Sequence, residues 1–453
     1  MTVTRNGGTE RRMLQSPGCA GDECERIPLI CEKAPALTRP EAGCVSIPVG
    51  GEIRLELDKE RLINTVALRE QGSRCTSFAL CGEDHAGKRT LLYENDVIDR
   101  YLYCAFEPVK VSALILEIRE SHHGQPVRLC NIEAFYIANG ERPFRTTVYF
   151  PLEKGSTYFT DHLRDPALIR RIGQITDIVL IGDVRFQRSG ALSYDEPTLT
   201  REMGALREMI GDRRVRIWCC VLNPLKKNGK LSNPDSVHAI RRNLDVLIQN
   251  ITALCGQYGF DGIDFDWEFP LLPHAWHAHG ELLIRLGEEL HRRGLLLSAA
   301  FGPWGIQLNR RARESLDFVN VMAYDWPKNR RKNHAEFYTC HYFSACYFLK
   351  KGFPKERLLL GIPFYGNTCG GGKLDQRDYS GFEIQRRGQN TGSHKGRTYY
   401  FNGSHLIYSK CAYNRDMGFA GTMVWCGKAD LAEDGGLSLF CAMERAADDR
   451  RKG

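Results

Sequence analysis

The chain changes its pattern of apolar and polar positions near residue 140. From about Val45 to Ile137 it shows short β-like runs broken by turn residues. Ile53 to Leu57 alternates strictly, Leu114 to Arg119 does so loosely, and Val127 to Ile137 forms a long closing run. Val66 to Arg69, Phe78 to Leu80 and Leu102 to Phe106 supply more, with no amphipathic helical stretch between them. Many short strands at this spacing predict an all-β sandwich over residues 41–140.

After Phe144, continuous apolar runs alternate with helical periodicity. The runs are Thr147–Phe150, Ile178–Ile181, Val215–Leu222, Gly259–Phe265, Leu295–Phe301, Phe318–Tyr324, Leu358–Tyr365 and Gly418–Trp425. Apolar strands separated by helices predict parallel βα units buried on both faces. The clearest helix precedes the fourth run. Ile240, Leu244, Leu247, Ile251 and Leu254 fall on one face, Asn233 to Ser236 supplies start signals, and Gly256 to Gly259 supplies stops. Eight units over about 310 residues fit a (β/α)8 TIM barrel across residues 141–453. Residues 1–40 mix Gly, Pro, Arg and Glu without periodicity, which predicts a disordered or loosely packed lead-in. The fold class expected is therefore multidomain: a TIM barrel preceded by an all-β jelly-roll sandwich.

Composition excludes several classes. The net charge of +7 is small for 453 residues, and the basic clusters Arg330 to Lys332 and Arg450 to Lys452 are short. This argues against nucleic acid as a partner. No stretch approaches the roughly 18 apolar residues needed to span a bilayer. The N-terminus lacks the apolar core of a signal peptide, so a cytoplasmic protein, or an exported one whose signal is absent from this chain, is expected. The 17 cysteines show no regular pairing pattern, and Cys219, Cys220, Cys255, Cys426 and Cys441 sit in apolar runs. That usage fits small buried hydrophobes in a reducing compartment. Cys19, Cys24 and Cys31 lack zinc-site spacing, so no metal and no cofactor are expected.

The chemistry concentrates in Asp261-Gly262-Ile263-Asp264-Phe265-Asp266-Trp267-Glu268. Side chains alternate along a strand, so Asp264, Asp266 and Glu268 should share one face, with Ile263, Phe265, Trp267 and Phe269 on the other. Three like charges on a buried face are costly. Their use is to hold pKa values apart so that one carboxyl stays protonated at neutral pH. The run lies at the C-terminal end of the fourth strand, where barrel active sites form. Asp261 precedes the strand and reads as a turn or capping residue.

These residues match, position for position, the Asp-x-x-Asp-x-Asp-x-Glu signature of glycoside hydrolase family 18, the chitinase-type family. Met322-Ala323-Tyr324-Asp325 resembles the family's sixth-strand motif. Gly361 to Gly366 resembles its seventh strand, and Gly421 to Trp425 its eighth. The resemblance spans roughly residues 145 to 445. It implies that Glu268 is the general acid and base, that Asp266 orients the substrate acetamido group, and that Asp264 shares a proton with Asp266. It implies further that Tyr324 donates to the acetamido oxygen, that Asp325 supports the sugar, and that Trp425 stacks beneath it. Tyr149, Tyr365, Trp304 and Trp326, at or just past strand ends, are candidate cleft residues. The implied reaction is retaining, substrate-assisted cleavage of β-1,4 bonds next to N-acetylglucosamine. The implied partner is an N-acetylglucosamine-containing oligo- or polysaccharide, bound by a monomer.

Alternatives within the same fold are an endo-β-N-acetylglucosaminidase acting on N-glycans and a peptidoglycan or spore-cortex hydrolase. A chitinase-like lectin would normally lack the acid at position 268, which is present. An adhesion protein would rest on the N-terminal module, whose strand order resembles discoidin-like (F5/8 type C) jelly rolls and suggests a carbohydrate-binding module. Two departures from the family stand out. The third strand reads Trp218-Cys219-Cys220 in place of a Gly-rich end, and the segment Asn367 to Met417, with Gly370 to Gly372, is short enough to predict an open groove.

Overall fold

A computed structural model describes residues 23–31, 35–38, 43–140, 142–226, 228–325, 333–368, 375–432 and 436–451. Trp326, Arg330 to Lys332, Gly370 to Gly372 and most of the lead-in, residues 1–22, 32–34 and 39–42, lie outside them.

The eight apolar runs form a closed parallel barrel. Its strands are Arg145–Leu152, Asp177–Gly182, Arg216–Leu222, Gly262–Asp266, Leu296–Phe301, Phe318–Val321, Leu358–Pro363 and Gly421–Trp425. Each pairs in parallel with the next, and the eighth pairs with the first from Gly421↔Arg145 to Trp425↔Tyr149. The runs are apolar throughout because alternate residues enter different layers. Val148, Phe150, Ile178 and Leu180 pack outward beneath the helices, while Tyr149, Val179, Trp218 and Met423 fill the barrel interior. The helix before the acidic strand spans Asn233–Tyr258, with all five periodic residues buried, and stops where Gly259 turns left-handed at φ 62°. Only glycine enters that region without penalty.

The N-terminal module is all-antiparallel. Its strands are linked in one eight-stranded hydrogen-bonded network. Two 20-residue strands, Glu52–Gln71 and Leu102–Ser121, run through its middle and pair along most of their length. Their register shifts between Glu56 and Arg61, and again between Ile63 and Thr65. Such irregularities bend a sheet; the turn-like breaks in the sequence are bulges within long strands.

Two expectations need correction. The lead-in is not loose throughout: Glu23–Ile27 pairs antiparallel with the strand Val127–Ala138, and Leu29–Ile30 pairs with Leu57 and Glu56. Pro28 splits this segment, which hid its alternation. The cysteines are not all free either. Cys44 and Cys130 form a disulfide, one position beyond the Val45↔Leu129 pair of adjacent strands, and Cys24 is also disulfide-bonded. Cys219, Cys220, Cys255, Cys426 and Cys441 are free, as their apolar settings suggest.

The module packs on the barrel through the helix Ser404–Asp416, every residue of which is buried. At the seam, Tyr103 Oη donates to Asp416 Oδ2 at 2.5 Å, and the fully buried Arg450 guanidinium lies 3.2 Å from the same oxygen. Arg450 also donates to Thr65 Oγ1 of the module at 2.7 Å. Among the described residues no helix is long and apolar enough to cross a membrane.

Candidate active site

The fourth barrel strand sets the site. Asp264 pairs in register with Cys220 and Ser298, and Asp266 pairs with Leu222. Asp264 and Asp266 point into the barrel, at 0% and 4% exposure, and Glu268 follows just past the strand end. Ile263, Phe265 and Trp267 point to the outer layer, as alternation requires. Trp267 Nε1 donates to Asn233 Oδ1 at 2.6 Å, which pins the strand end to the start of the preceding helix. Phe269 departs from the pattern: beyond the strand it turns into the cleft and packs on Trp304 at 5.3 Å between ring centres.

Asp264 sits deepest. Its Oδ1 accepts from Ser298 Oγ at 2.6 Å and Asn320 Nδ2 at 2.9 Å, and its Oδ2 accepts from Tyr149 Oη at 2.7 Å. Burial raises its pKa, while these donors and the Cys220 thiol hold it down. Asp266 is held well above the ordinary carboxylate range, first by burial and then by the Glu268 and Asp264 charges, with Arg185 opposing. Its Oδ1 is buried with no hydrogen-bond partner among the described residues. Glu268 is raised by burial and by Asp325, and lowered by Arg185 and by a hydrogen bond with Asp266. Asp266 thus feels both neighbours on its face, Glu268 toward the cleft and Asp264 beneath it. Asp264 is already saturated by neutral donors.

The other candidates line the same cleft, a space of about 270 Å³. Tyr324 stands at the end of the sixth strand. Asp325 follows with a left-handed backbone at φ 57°, a conformation Asp tolerates better than most residues. Asp325 accepts from Tyr365 Oη at 2.6 Å and from Asn367 Nδ2 at 3.2 Å, and its Oδ1 lies 2.7 Å from His334 Nδ1. These contacts, His334 first among them, outweigh burial and hold its carboxyl below the usual range. Trp425 ends the eighth strand, partly exposed, with its ring 5.9 Å from that of Tyr149. Trp304 borders the opposite side of the cleft with Phe269. Tyr149 and Tyr365 reach the cleft too, but each spends its hydroxyl on a carboxylate, Asp264 and Asp325 respectively.

Two sequence features fall elsewhere. Trp218 lies in the barrel interior with Nε1 donating to Asp177 Oδ1 at 2.8 Å, so only Cys220 of the Trp-Cys-Cys run touches the site. Asp261 is structural: its Oδ2 accepts from Ile217 N at 2.8 Å. The segment after the seventh strand folds into a small antiparallel sheet of Tyr365–Thr368, Gln376–Asp378, Thr391–His394 and Arg397–Tyr400. Among the described residues no cluster of His, Cys, Asp and Glu is arranged to hold a metal ion.

Sequence reasoning missed Arg185, Ser298, Asn320 and His334. Ser298 and Asn320 had a usable signal: each is a lone polar residue inside an apolar barrel run. Arg185 lies in a two-residue strand, Arg185–Phe186, and His334 in a turn, with no pattern in the sequence to mark either.

Residues 235–430 match the model of glycosyl hydrolases family 18. A probable chitinase 2 of Drosophila melanogaster is 32% identical over 139 residues, which is 27% of this chain and 29% of that protein. The chain thus spans well under two thirds of that relative's length. A GH18 chitinase of Flavobacterium johnsoniae has a TM-score of 0.56 at 21% identity, over 68% of this chain and 95% of its own. A class V chitinase of Nicotiana tobaccum, solved with NAG4, has a TM-score of 0.54 at 16% identity, over 66% and 98%. The acidic strand, the sixth-strand Tyr324-Asp325 and Trp425 all fall within the matched segment, which therefore carries the sequence pattern of glycosyl hydrolases family 18 on a barrel that shares the fold of solved chitinases.

Proposed function

We propose that the chain is a chitinase-type glycoside hydrolase that cleaves β-1,4 bonds next to N-acetylglucosamine by retaining, substrate-assisted catalysis. The observation that carries this reading is the graded triad. Asp264 is buried and saturated with donors, Asp266 is buried with one oxygen unpartnered, and Glu268 stands at the cleft with its pKa raised. A raised carboxyl pKa suits a group that must deliver a proton near neutral pH.

In this reading Glu268 protonates the departing glycosidic oxygen and later takes a proton from water. Asp266 turns its free oxygen toward the acetamido N–H and offsets the positive charge that develops there. Tyr324 donates to the acetamido oxygen, Asp325 holds the sugar, and Trp425 floors the cleavage point. The substrate's own acetamido oxygen is the nucleophile, so no second enzyme carboxylate attacks. A nucleophile already in place is worth up to about 7–11 kcal/mol through proximity. The NAG4 bound to the Nicotiana chitinase supports a neutral N-acetylglucosamine oligomer as the core ligand. A sugar-binding role for the N-terminal module, in the manner of a discoidin-like jelly roll, belongs to the same proposal. It is tested by footprinting chitotetraose on the whole chain with Glu268 replaced by Gln: protection within residues 43–140 supports it, and protection confined to the barrel refutes it.

The chemistry is tested by following product anomers by NMR on N-acetylated and de-N-acetylated chitotetraose. The reading expects a β-anomer first, from the acetylated substrate alone. An α-anomer first, or equal cleavage of the deacetylated oligomer, refutes it.

A further inference from the structure

A groove of about 700 Å³ lies between the N-terminal ends of the helices Asn233–Tyr258 and Pro273–Arg292. These helices follow the third and fourth barrel strands, so the groove opens on the barrel face that carries Glu268. Two segments join it to the cleft. Leu271 and Leu272 in its wall come three and four residues after Glu268. Arg188, in the opposite wall, comes three residues after Arg185, whose charge acts on both Asp266 and Glu268. Three residues of chain reach at most about 11 Å. Leu271 and Arg188 therefore lie within about 11 Å of Glu268 and Arg185, which puts the groove beside the cleft.

Its chemistry differs from that of the cleft. Arg188, Arg241, Arg242, His238 and His274 face it, and the nearby acid, Asp235, is engaged by Arg188 at 3.0 Å and Ser232 at 2.6 Å. Arg241 and Arg242 have no hydrogen bond or ion pair among the described residues. Elsewhere on the same helix pair an exposed arginine is paired, as Arg285 is with Asp245 at 2.6 Å. Leu271 and Leu272 are 72% and 56% exposed beside these cations. Unpaired guanidinium groups next to bare aliphatic surface suit an anion carried on a partly apolar frame. A neutral chitin oligomer has no anion to offer them.

We propose that this groove is a second binding site, taking a carboxylate carried by the N-acetylated glycan close to the cleavage point. The inference rests on the glycosidase reading and narrows it to glycans that bear acid groups, from a uronic acid or from a lactyl or peptide branch. The test compares the whole chain with its R241Q/R242Q form. The substrates are neutral N-acetylglucosamine tetramer, a hyaluronan oligosaccharide as the uronate source, and a soluble peptidoglycan fragment as the lactyl and peptide source.

Removing two charge-assisted contacts should cut kcat/KM on at least one acidic glycan about tenfold or more, mainly through KM. The neutral tetramer should be unaffected, and added salt should raise KM on the acidic glycan alone. Loss on hyaluronan only identifies the uronate, and loss on peptidoglycan only identifies the branch. An equal effect on neutral and acidic glycans, or none, overturns the groove site while leaving the glycosidase reading intact. If the wild type cleaves nothing, calorimetry of the same glycans on the Glu268→Gln protein, with and without the arginine pair, reads the groove by itself. Weaker acidic-glycan binding without the pair supports it, and unchanged binding overturns it.

Discussion

Replacing Asp266 with Asn isolates the electrostatic cost of the acidic strand. Asp266 is 4% exposed, and burial, Glu268 and Asp264 together hold its pKa well above the ordinary range. A carboxyl whose folded pKa is raised keeps its proton in the folded chain after the unfolded chain has lost it. Its stabilising contribution is therefore fully present below about pH 3.9, the unfolded value, and is lost as pH rises through the folded pKa. Within that window one retained proton costs up to about 1.4 kcal/mol per pH unit. The amide cannot ionise, yet its N–H can still donate to Glu268, so the variant escapes this slope without emptying the site. Urea unfolding of both proteins at fixed ionic strength, from pH 4.5 to 7.5, should show the variant gaining on the wild type as pH rises. Turnover of chitotetraose should fall by about 10²–10³-fold, the cost of losing a preorganised charge-stabilising group. A stability difference that is flat with pH, or a variant that loses ground to the wild type as pH rises, refutes the assignment of a raised Asp266.

Two further substitutions separate structure from chemistry. Asp261→Ala removes the acceptor for Ile217 N and should cost about 1–3 kcal/mol in urea unfolding, with kcat and KM unchanged at temperatures where the variant is folded; lost activity in a stable variant would contradict its structural role. Arg450→Leu leaves the buried Asp416 carboxylate without its cation and should cost about 3–5 kcal/mol. It should also let a protease separate the N-terminal module from the barrel, and unchanged stability with unchanged protease resistance would contradict the seam described above.

The barrel was legible because its strands are buried on both faces and read as eight unbroken apolar runs. The acidic strand was legible because it breaks that rule with period two. Alternation failed at Phe269, which lies past the last ladder hydrogen bond and is turned by the loop. It held in the third strand, where Trp218, Cys220 and Leu222 face the interior and Ile217, Cys219 and Val221 face outward, but sequence does not give height along the axis. Ser298 and Asn320 show how much a lone polar residue inside an apolar run can say: both serve Asp264. The N-terminal module was harder. Bulged 20-residue strands look like several short ones, and the pairing of Cys44 with Cys130 depends on a strand neighbourhood set by a contact 86 residues apart.

The central claim is that Glu268 delivers the proton to the glycosidic oxygen. The direct measurement is single-turnover hydrolysis of chitotetraose by the wild type and by Glu268→Gln, with affinity measured in parallel. Loss of general acid catalysis should slow cleavage by about 10²–10⁴-fold while chitotetraose binds the variant as tightly as the wild type. Equal cleavage rates in the two proteins, or no cleavage by a wild type that binds the oligomer, would contradict it.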